Sequence, residues 1–414
     1  MAARYFRFGG LAPDGVLLFG TRIARMFAYG FLSVVLVLYL AQAGLKETQI
    51  GLLLTLTLVG DTLISLWITT NADRIGRRRM LIVGAGLMLF AGILFALTRN
   101  FYLLLIAATI GVLSPSGYEV GPFLAIEQAS LTQIVSHEKR TRTFAWYNLV
   151  GSLSTATGAL CGGGLAQILQ VSGVVPLNSY RAVVIGYSLI GVILAVLFSR
   201  LSSAVEAVAA DIQTAASRFG LHRSRNVVLK LAALFSLDAF AGGLVVQAIV
   251  SYWFHTRFGV QPGVLGAIFF GANVLAGISA LSAAWIASRI GLINTMVFTH
   301  IPSNVLLMLV PLMPTLPLAI MVLLMRFSIS QMDVPTRQSY TMAVVDPDER
   351  SAAAGVTGIA RTLGASLAPV LTGPLLASAA LLSLNFFLAG GLKIIYDLAL
   401  YRNFRRLKPP EEAK

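Results

Sequence analysis

The chain has 414 residues, 57% hydrophobic and 12% charged, and its mean hydropathy of +0.81 describes a protein solvated mainly by lipid rather than a water-soluble one. A net charge of +14 invites a nucleic-acid reading only where basic residues form one external stripe. Here they are spread over alternate loops, which argues against a nucleic-acid partner.

A sliding window of about 19 residues predicts helices at 15–42, 48–70, 80–97, 102–134, 143–170, 181–200, 228–256, 264–287, 292–312, 317–345, 352–378 and 382–401. The basic start, Met1 to Gly10, lacks a small-residue cleavage site, so the first stretch reads as a retained helix rather than a leader. Lysines and arginines gather at Arg74 to Arg79, Lys139 to Arg142, Arg218 to Lys230, Arg289, Arg350 and Arg402 to Lys408. The intervening loops hold Lys46, Arg99, Arg181 and Arg257. This asymmetry predicts cytoplasmic termini and a cytoplasmic central loop. Residues 201–226 have the polarity of an interdomain linker, which divides the chain into six-helix bundles at 1–200 and 227–414.

In chain order, the intramembrane charges begin with Arg22 and Arg25 in the first helix, near enough its cytoplasmic end for at least one to snorkel to the headgroups, and Asp61 midway along the second. A charge at a helix centre costs about 2.5 to 3.5 kcal/mol on insertion scales, so each one retained is a candidate functional residue. The fourth helix carries Glu119 and Glu127, eight apart and so on one face. Its Ser114-Pro115-Ser116-Gly117 and Gly121-Pro122 predict a kink. Asp238 lies in the seventh helix, Arg326, Asp333 and Arg337 in the tenth, and Arg361 in the eleventh. Asp333 and Arg337 are spaced to pair along their own helix. Glu127 and Arg337 also hold corresponding places in the two halves and are candidates to face each other across a cavity. Glu119 is the first candidate for carrying a proton, with Asp61 and Glu127 after it; each carboxylate has the alternative of a satisfied packing role. Tyr118, Tyr147 and Asn273 are candidate substrate contacts. The one cysteine, Cys161, excludes an intramolecular disulfide, and the four histidines show no metal-ligand spacing.

Segments in the two halves match in collinear order. Gly44 to Gly51 reads against Gly259 to Gly266, Arg74-Ile75-Gly76 against Arg289-Ile290-Gly291, Val135 to Thr141 against Val345 to Ser351, and Gly158 to Gly163 against Ala368 to Gly373. Two parallel six-helix repeats of this kind frame a cavity near the membrane midplane that opens to each side in turn. Small residues on the fifth and eleventh helices, Gly158, Gly162, Gly163, Pro369 and Gly373, are candidates for a hinge or seal, against the alternative of plain helix packing.

With Asp73, Arg74, Gly76, Arg77 and Arg78 between the second and third helices, the chain resembles the major facilitator superfamily, whose loop pattern is Gly-x-x-x-Asp-Arg-x-Gly-Arg-Arg; Thr69 stands at the first glycine. Gly158 to Gly163 partly resembles the Gly-Pro-x-x-Gly-Gly of the family's drug antiporters, with alanine in place of proline. The resemblance implies an all-α membrane protein of twelve transmembrane helices, a monomer in the cytoplasmic membrane, and a loop that gates transport. The expected activity is secondary transport of a small organic solute, with proton-coupled export preferred, the proton gradient as energy source and no cofactor or enzymatic reaction. A proton-coupled importer, a lipid flippase and a non-transporting receptor remain as alternatives. No phosphate-cradling Gly-x-x-x-x-Gly-Lys-Ser/Thr loop occurs.

Overall fold

The computed structural model describes residues 12–135, 137–206, 223–346, 349–376 and 379–407, and these form helices and their connections. The first half contains α1 (Pro13–Ser33), α2 (Leu36–Gln42), α3 (Glu47–Ile75), α4 (Arg77–Leu97), α5 (Phe101–Ile110), α6 (Phe123–Ile134), α7 (His137–Val171) and α8 (Pro176–Ser199). The second contains α9 (Arg225–Gly243), α10 (Gln247–Phe258), α11 (Pro262–Ile290), α12 (Leu292–Leu309), α13 (Leu316–Ile329), α14 (Asp333–Ala343), α15 (Arg350–Leu376), α16 (Ala379–Leu382) and α17 (Leu384–Phe404). Both termini and most of the expected linker, at 207–222, lie outside the described residues.

Among the described residues, eleven helical segments are long and apolar enough to cross a membrane. The exception is the expected fourth span. It is not one helix over 102–134 but α5 and α6 separated by twelve non-helical positions, 111–122. At about 1.5 Å per residue, the ten residues of α5 cover only half the hydrocarbon core. The cause is local. Pro115 and Pro122 have no N–H to donate, and Gly117 (φ +73°) and Gly121 (φ +81°) take left-handed backbone that other residues avoid. The carbonyls so released are met by side chains: Tyr29 Oη donates to Val120 O at 3.0 Å, Ser114 Oγ to Tyr118 O at 2.7 Å, and Tyr187 Oη to Val112 O. Irregular backbone survives at membrane depth because protein replaces water as its partner.

Shorter interruptions split the first, seventh and tenth expected spans, between α1 and α2, α9 and α10, and α13 and α14. The turn at Gly76 (φ +117°) joins α3 to α4, and Gly291 (φ +86°) joins α11 to α12.

Within each half the main packing partners are α1 with α7, α4 with α8, α9 with α15, and α12 with α17; the halves meet along α7 with α11 and α3 with α15. These seams are tightest at the end of the molecule opposite the Gly76 turn. There a methyl on Gly51 would lie 2.7 Å from Gly373 Cα, and one on Gly266 would lie 2.7 Å from Ala159 O. One apolar core runs through the first half into α10, the start of α11 and the part of the second half away from the Gly291 turn. A separate core of Leu231, Phe235, Met296, Tyr340, Tyr396 and Phe404 fills the other end of the second half. The halves therefore share a core at one end and have separate cores at the other.

Candidate functional site

Helix interruptions bring the halves together at the closed end. Gln247, first residue of α10, donates from Nε2 to Ser33 Oγ at 2.9 Å, and its Oε1 accepts from Asn273 Nδ2 at 3.2 Å. Ser251 Oγ donates to Val34 O at 2.6 Å, and Ala248 N to Pro115 O at 3.0 Å. Backbone groups freed by the breaks in the first and fourth spans thus bond to the seventh. Gly263 N donates to Gln167 Oε1 at 3.4 Å across the α7–α11 seam. Every hydrogen bond found between the halves among the described residues lies at this end.

Most of the ionisable side chains in the interior of the spans form two networks, one in each half. In the first, Arg25 reaches Glu127 with both terminal nitrogens at 2.8 Å, and Glu119 with Nε at 2.9 Å. Arg22 pairs with Glu119, while Thr21 (2.7 Å) and Tyr147 also donate to Glu127. Such bidentate, charge-assisted bonds are strong and fix geometry. Room for Arg22 depends on Gly151, where a Cβ would come 2.7 Å from Arg22 Nε.

In the second half Asp238 is the centre. Lys393 Nζ lies 2.5 Å from Oδ1, and Arg337 and Arg361 reach Oδ2 at 3.1 and 3.3 Å. Arg337 also bonds Asp333 at 2.9 Å, as the spacing of four predicts. His300 Nδ1 sits 2.8 Å from Asp397 and its Nε2 3.9 Å from Asp238; Asn304 donates to the other Asp397 oxygen at 3.1 Å.

The facing of Glu127 and Arg337 is therefore corrected: each is paired inside its own half. Glu127 is held by Arg25, Thr21 and Tyr147, and Arg337 by Asp238 and Asp333, so neither is bonded to the other. Glu119, Glu127 and Tyr147 belong to one network, and Tyr147 is fully buried in it. Asp61 stands apart. Its side-chain partner is Ser65 Oγ at 3.4 Å, with the Gly121 N–H from the fourth-span break, and it has no ion pair among the described residues. Arg326 likewise has none, and its Nε has no acceptor. Asn273 serves the Gln247 bridge, whereas Tyr118 is 41% exposed.

The Asp73 loop closes on its own half. Arg77 Nε bonds Asp73 at 2.7 Å, and one terminal nitrogen reaches Gln133 at 2.9 Å and Val205 O at 3.2 Å. Arg78 bonds Leu201 O at 3.1 Å, and Arg74 is exposed. Glu206 accepts from Arg77 N (2.6 Å) and Arg78 N (3.3 Å), so a carboxylate caps the start of α4. At the start of α9, Glu349 receives Arg223 N and Ser224 N at 2.8 and 2.9 Å.

The candidate hinge residues fall into two groups. Gly158 and Gly162 admit the carbonyls of Phe27 and Phe31, packing within the first half, while Gly163, Pro369 and Gly373 lie on the seams between halves. Sequence reasoning missed the seam partners Gly51 and Gly266, and also Lys393, His300 and Asp397. Lys393 and Asp397 stand four apart inside an apolar helix, the same intramembrane-charge signal that marked the others.

A family model described as Major Facilitator Superfamily matches residues 18–369. An uncharacterized membrane protein of Saccharomyces cerevisiae, YJR124C, is 30% identical over 426 residues, covering 96% of this chain and 95% of that protein. A bacterial homolog of the human lysosomal transporter Spinster, solved in an inward-facing and unoccupied conformation, superposes with a TM-score of 0.74 at 15% identity over 98% of this chain and 99% of that one. A D-xylose-proton symporter follows with 0.72 at 14% identity over 97% and 99%. At such identities the solved structures are alike in fold. The family match and the yeast relative both span most of the sequence, and the chain belongs to the Major Facilitator Superfamily, as a multi-pass integral membrane protein of a family of transporters.

Proposed function

We propose that the protein is a secondary active transporter that carries a small organic solute across the cytoplasmic membrane by alternating access between two six-helix halves. The observation that carries this reading is the asymmetry of the contact between halves. Glycine-lined seams and interhelical hydrogen bonds join them at one end, while separate cores and self-contained charge networks hold each half together at the other. Two bodies whose ion pairs are internal can rock against each other without breaking a buried pair, which is what a transport cycle requires.

A repeat relation between the halves supports it. The sequence alignment pairs Gly51 with Gly266 and Gly163 with Gly373, and the contacts run from Gly51 to Gly373 and from Gly266 to Gly163. Gly76 and Gly291, also aligned, share positive φ. With termini and the Asp73 loop cytoplasmic, as the basic loops predict, the sealed end is the outer one. In this reading the Asp73 loop latches the cytoplasmic end when the cycle closes it.

Proton coupling is assigned to Asp61 ahead of Glu119 and Glu127. It is the carboxyl whose proton can come and go without breaking an ion pair. Export against proton entry is the direction we assign, on the partial antiporter sequence Gly158 to Gly163.

The test is reconstitution of the full chain into liposomes holding an internal pH dye, with organic cations, anions, amino acids and sugars added singly. A solute-dependent proton flux, absent from Asp61→Asn, is expected. Solute flux that moves no protons would overturn the coupling, and no flux of any labelled solute would overturn transport.

A further inference from the structure

In the interior of the spans, Arg22, Arg25, Arg337, Arg361 and Lys393 each have a carboxylate partner. Arg326 has neither a hydrogen bond nor an ion pair among the described residues, and its Nε is shut from solvent without an acceptor. It sits in the last turn of α13, just before the interruption at 330–332. Ser330, four residues on, follows Arg326 at the end of that helix, and Asp333 opens the next one beyond the interruption.

Two features ease the charge there. The C-terminal end of α13 favours a cation by about 0.3 to 1 kcal/mol, and the Phe327 ring lies 4.8 Å from the guanidinium carbon. Neither supplies an acceptor for a planar fork of five N–H donors. Asp333, within electrostatic reach, already serves Arg337. From the other half, Tyr118 in the fourth-span break also comes within electrostatic reach of Arg326, and its hydroxyl has no hydrogen bond among the described residues.

We infer that Arg326 receives the anionic group of the transported solute, and that the solute is an organic anion whose oxygens bond Arg326 from one half and the Tyr118 hydroxyl from the other. The inference rests on the transport reading above and supplies its substrate class. A carboxylate, sulfonate or phosphonate matches the guanidinium fork. By touching both halves it gives the two conformations different affinities, without which a ligand shifts no equilibrium.

The experiment uses the purified full chain in detergent and in liposomes, in low-chloride buffer, with benzoate, benzenesulfonate, phenylphosphonate and succinate as probes and benzamide and benzylamine as neutral and cationic controls. At least one anion is expected to raise the thermal unfolding temperature of the wild type in a saturable way. Its apparent affinity is expected to fall about tenfold or more in Arg326→Gln, and less in Arg326→Lys and Tyr118→Phe, which keep the proposal testable should the glutamine variant fail to fold. No shift with any anion, or an equal shift in the variants, overturns the assignment. A neutral or cationic solute carried at an unchanged rate by Arg326→Gln would overturn the anion site and leave transport standing. Arg326-dependent binding with no flux in the wild type would do the reverse.

Discussion

Gly51 and Gly373 approach so closely that a Cβ on Gly51 would stand 2.7 Å from Gly373 Cα, and the relation recurs between Gly163 and Gly266, where a Cβ on Gly163 would fall 2.9 Å from Gly266 Cα and 2.3 Å from Pro262 O. Every atom that a side chain would strike here is backbone, so relief requires moving whole helices.

Gly51→Ala and Gly163→Ala are therefore expected to wedge the closed end apart, at a cost of about 1 to 3 kcal/mol for overpacking. With Cys161→Ser as background, labelling of Ser33→Cys by a water-soluble thiol reagent should rise in both. Gly164→Ala, which meets nothing within 4 Å, serves as control. Unchanged labelling in the first two would show that the glycines pack without sealing.

The Arg25–Glu127 pair is fully buried on both sides. Removing one partner strands a charge, at about 3 to 5 kcal/mol, whereas replacing both with apolar groups of similar volume recovers most of it. Thermal unfolding in micelles is expected to rank Arg25→Met well below the Arg25→Met/Glu127→Leu double variant. Equal stability of the two would mean that the charges do not depend on each other.

Asp61→Asn is expected to leave thermal stability nearly unchanged, since the bond to Ser65 is long and the amide keeps an oxygen for the Gly121 N–H, while abolishing pH-driven solute flux. Glu119→Gln should differ in kind, lowering stability because it weakens bonds from both Arg22 and Arg25. Comparison of flux and melting temperature in the two variants decides which carboxyl carries the proton. Pronounced destabilisation in Asp61→Asn with coupling intact would reverse the assignment.

Glu206→Ala removes the cap on two free N–H groups at the start of α4, worth about 0.5 to 2 kcal/mol. Hydrogen exchange at the Arg77 and Arg78 amides should accelerate, with exchange in the middle of α4 unaltered. Acceleration along the whole helix would indicate instead that Glu206 supports the span itself.

Hydropathy located the long spans because lipid demands an unbroken apolar stretch, and the Asp333–Arg337 bond followed from helical spacing. The break at 111–122 was half legible: its prolines and glycines announced a kink, but a window average carried one helix through it. Arg25 could not be joined to Glu119 and Glu127 from sequence, since 94 and 102 residues separate them and their meeting depends on how α1 lies against α6 and the break. The expected Glu127–Arg337 pair failed for a related reason. Corresponding positions in the two halves of a sequence need not touch.

The interrupted fourth span also bears on how the chain is made. Neither α5 nor α6 alone offers an insertion machinery the run of about 20 apolar residues it partitions into lipid, and the intervening carbonyls find donors on Tyr29, which precedes them, and on Tyr187, two spans later in synthesis. Until α8 has emerged from the ribosome, this segment lacks part of what satisfies its backbone. The backbone of this segment is thus fully partnered only once downstream helices are in place, and variants at Tyr187 are expected to lower the yield of correctly inserted protein.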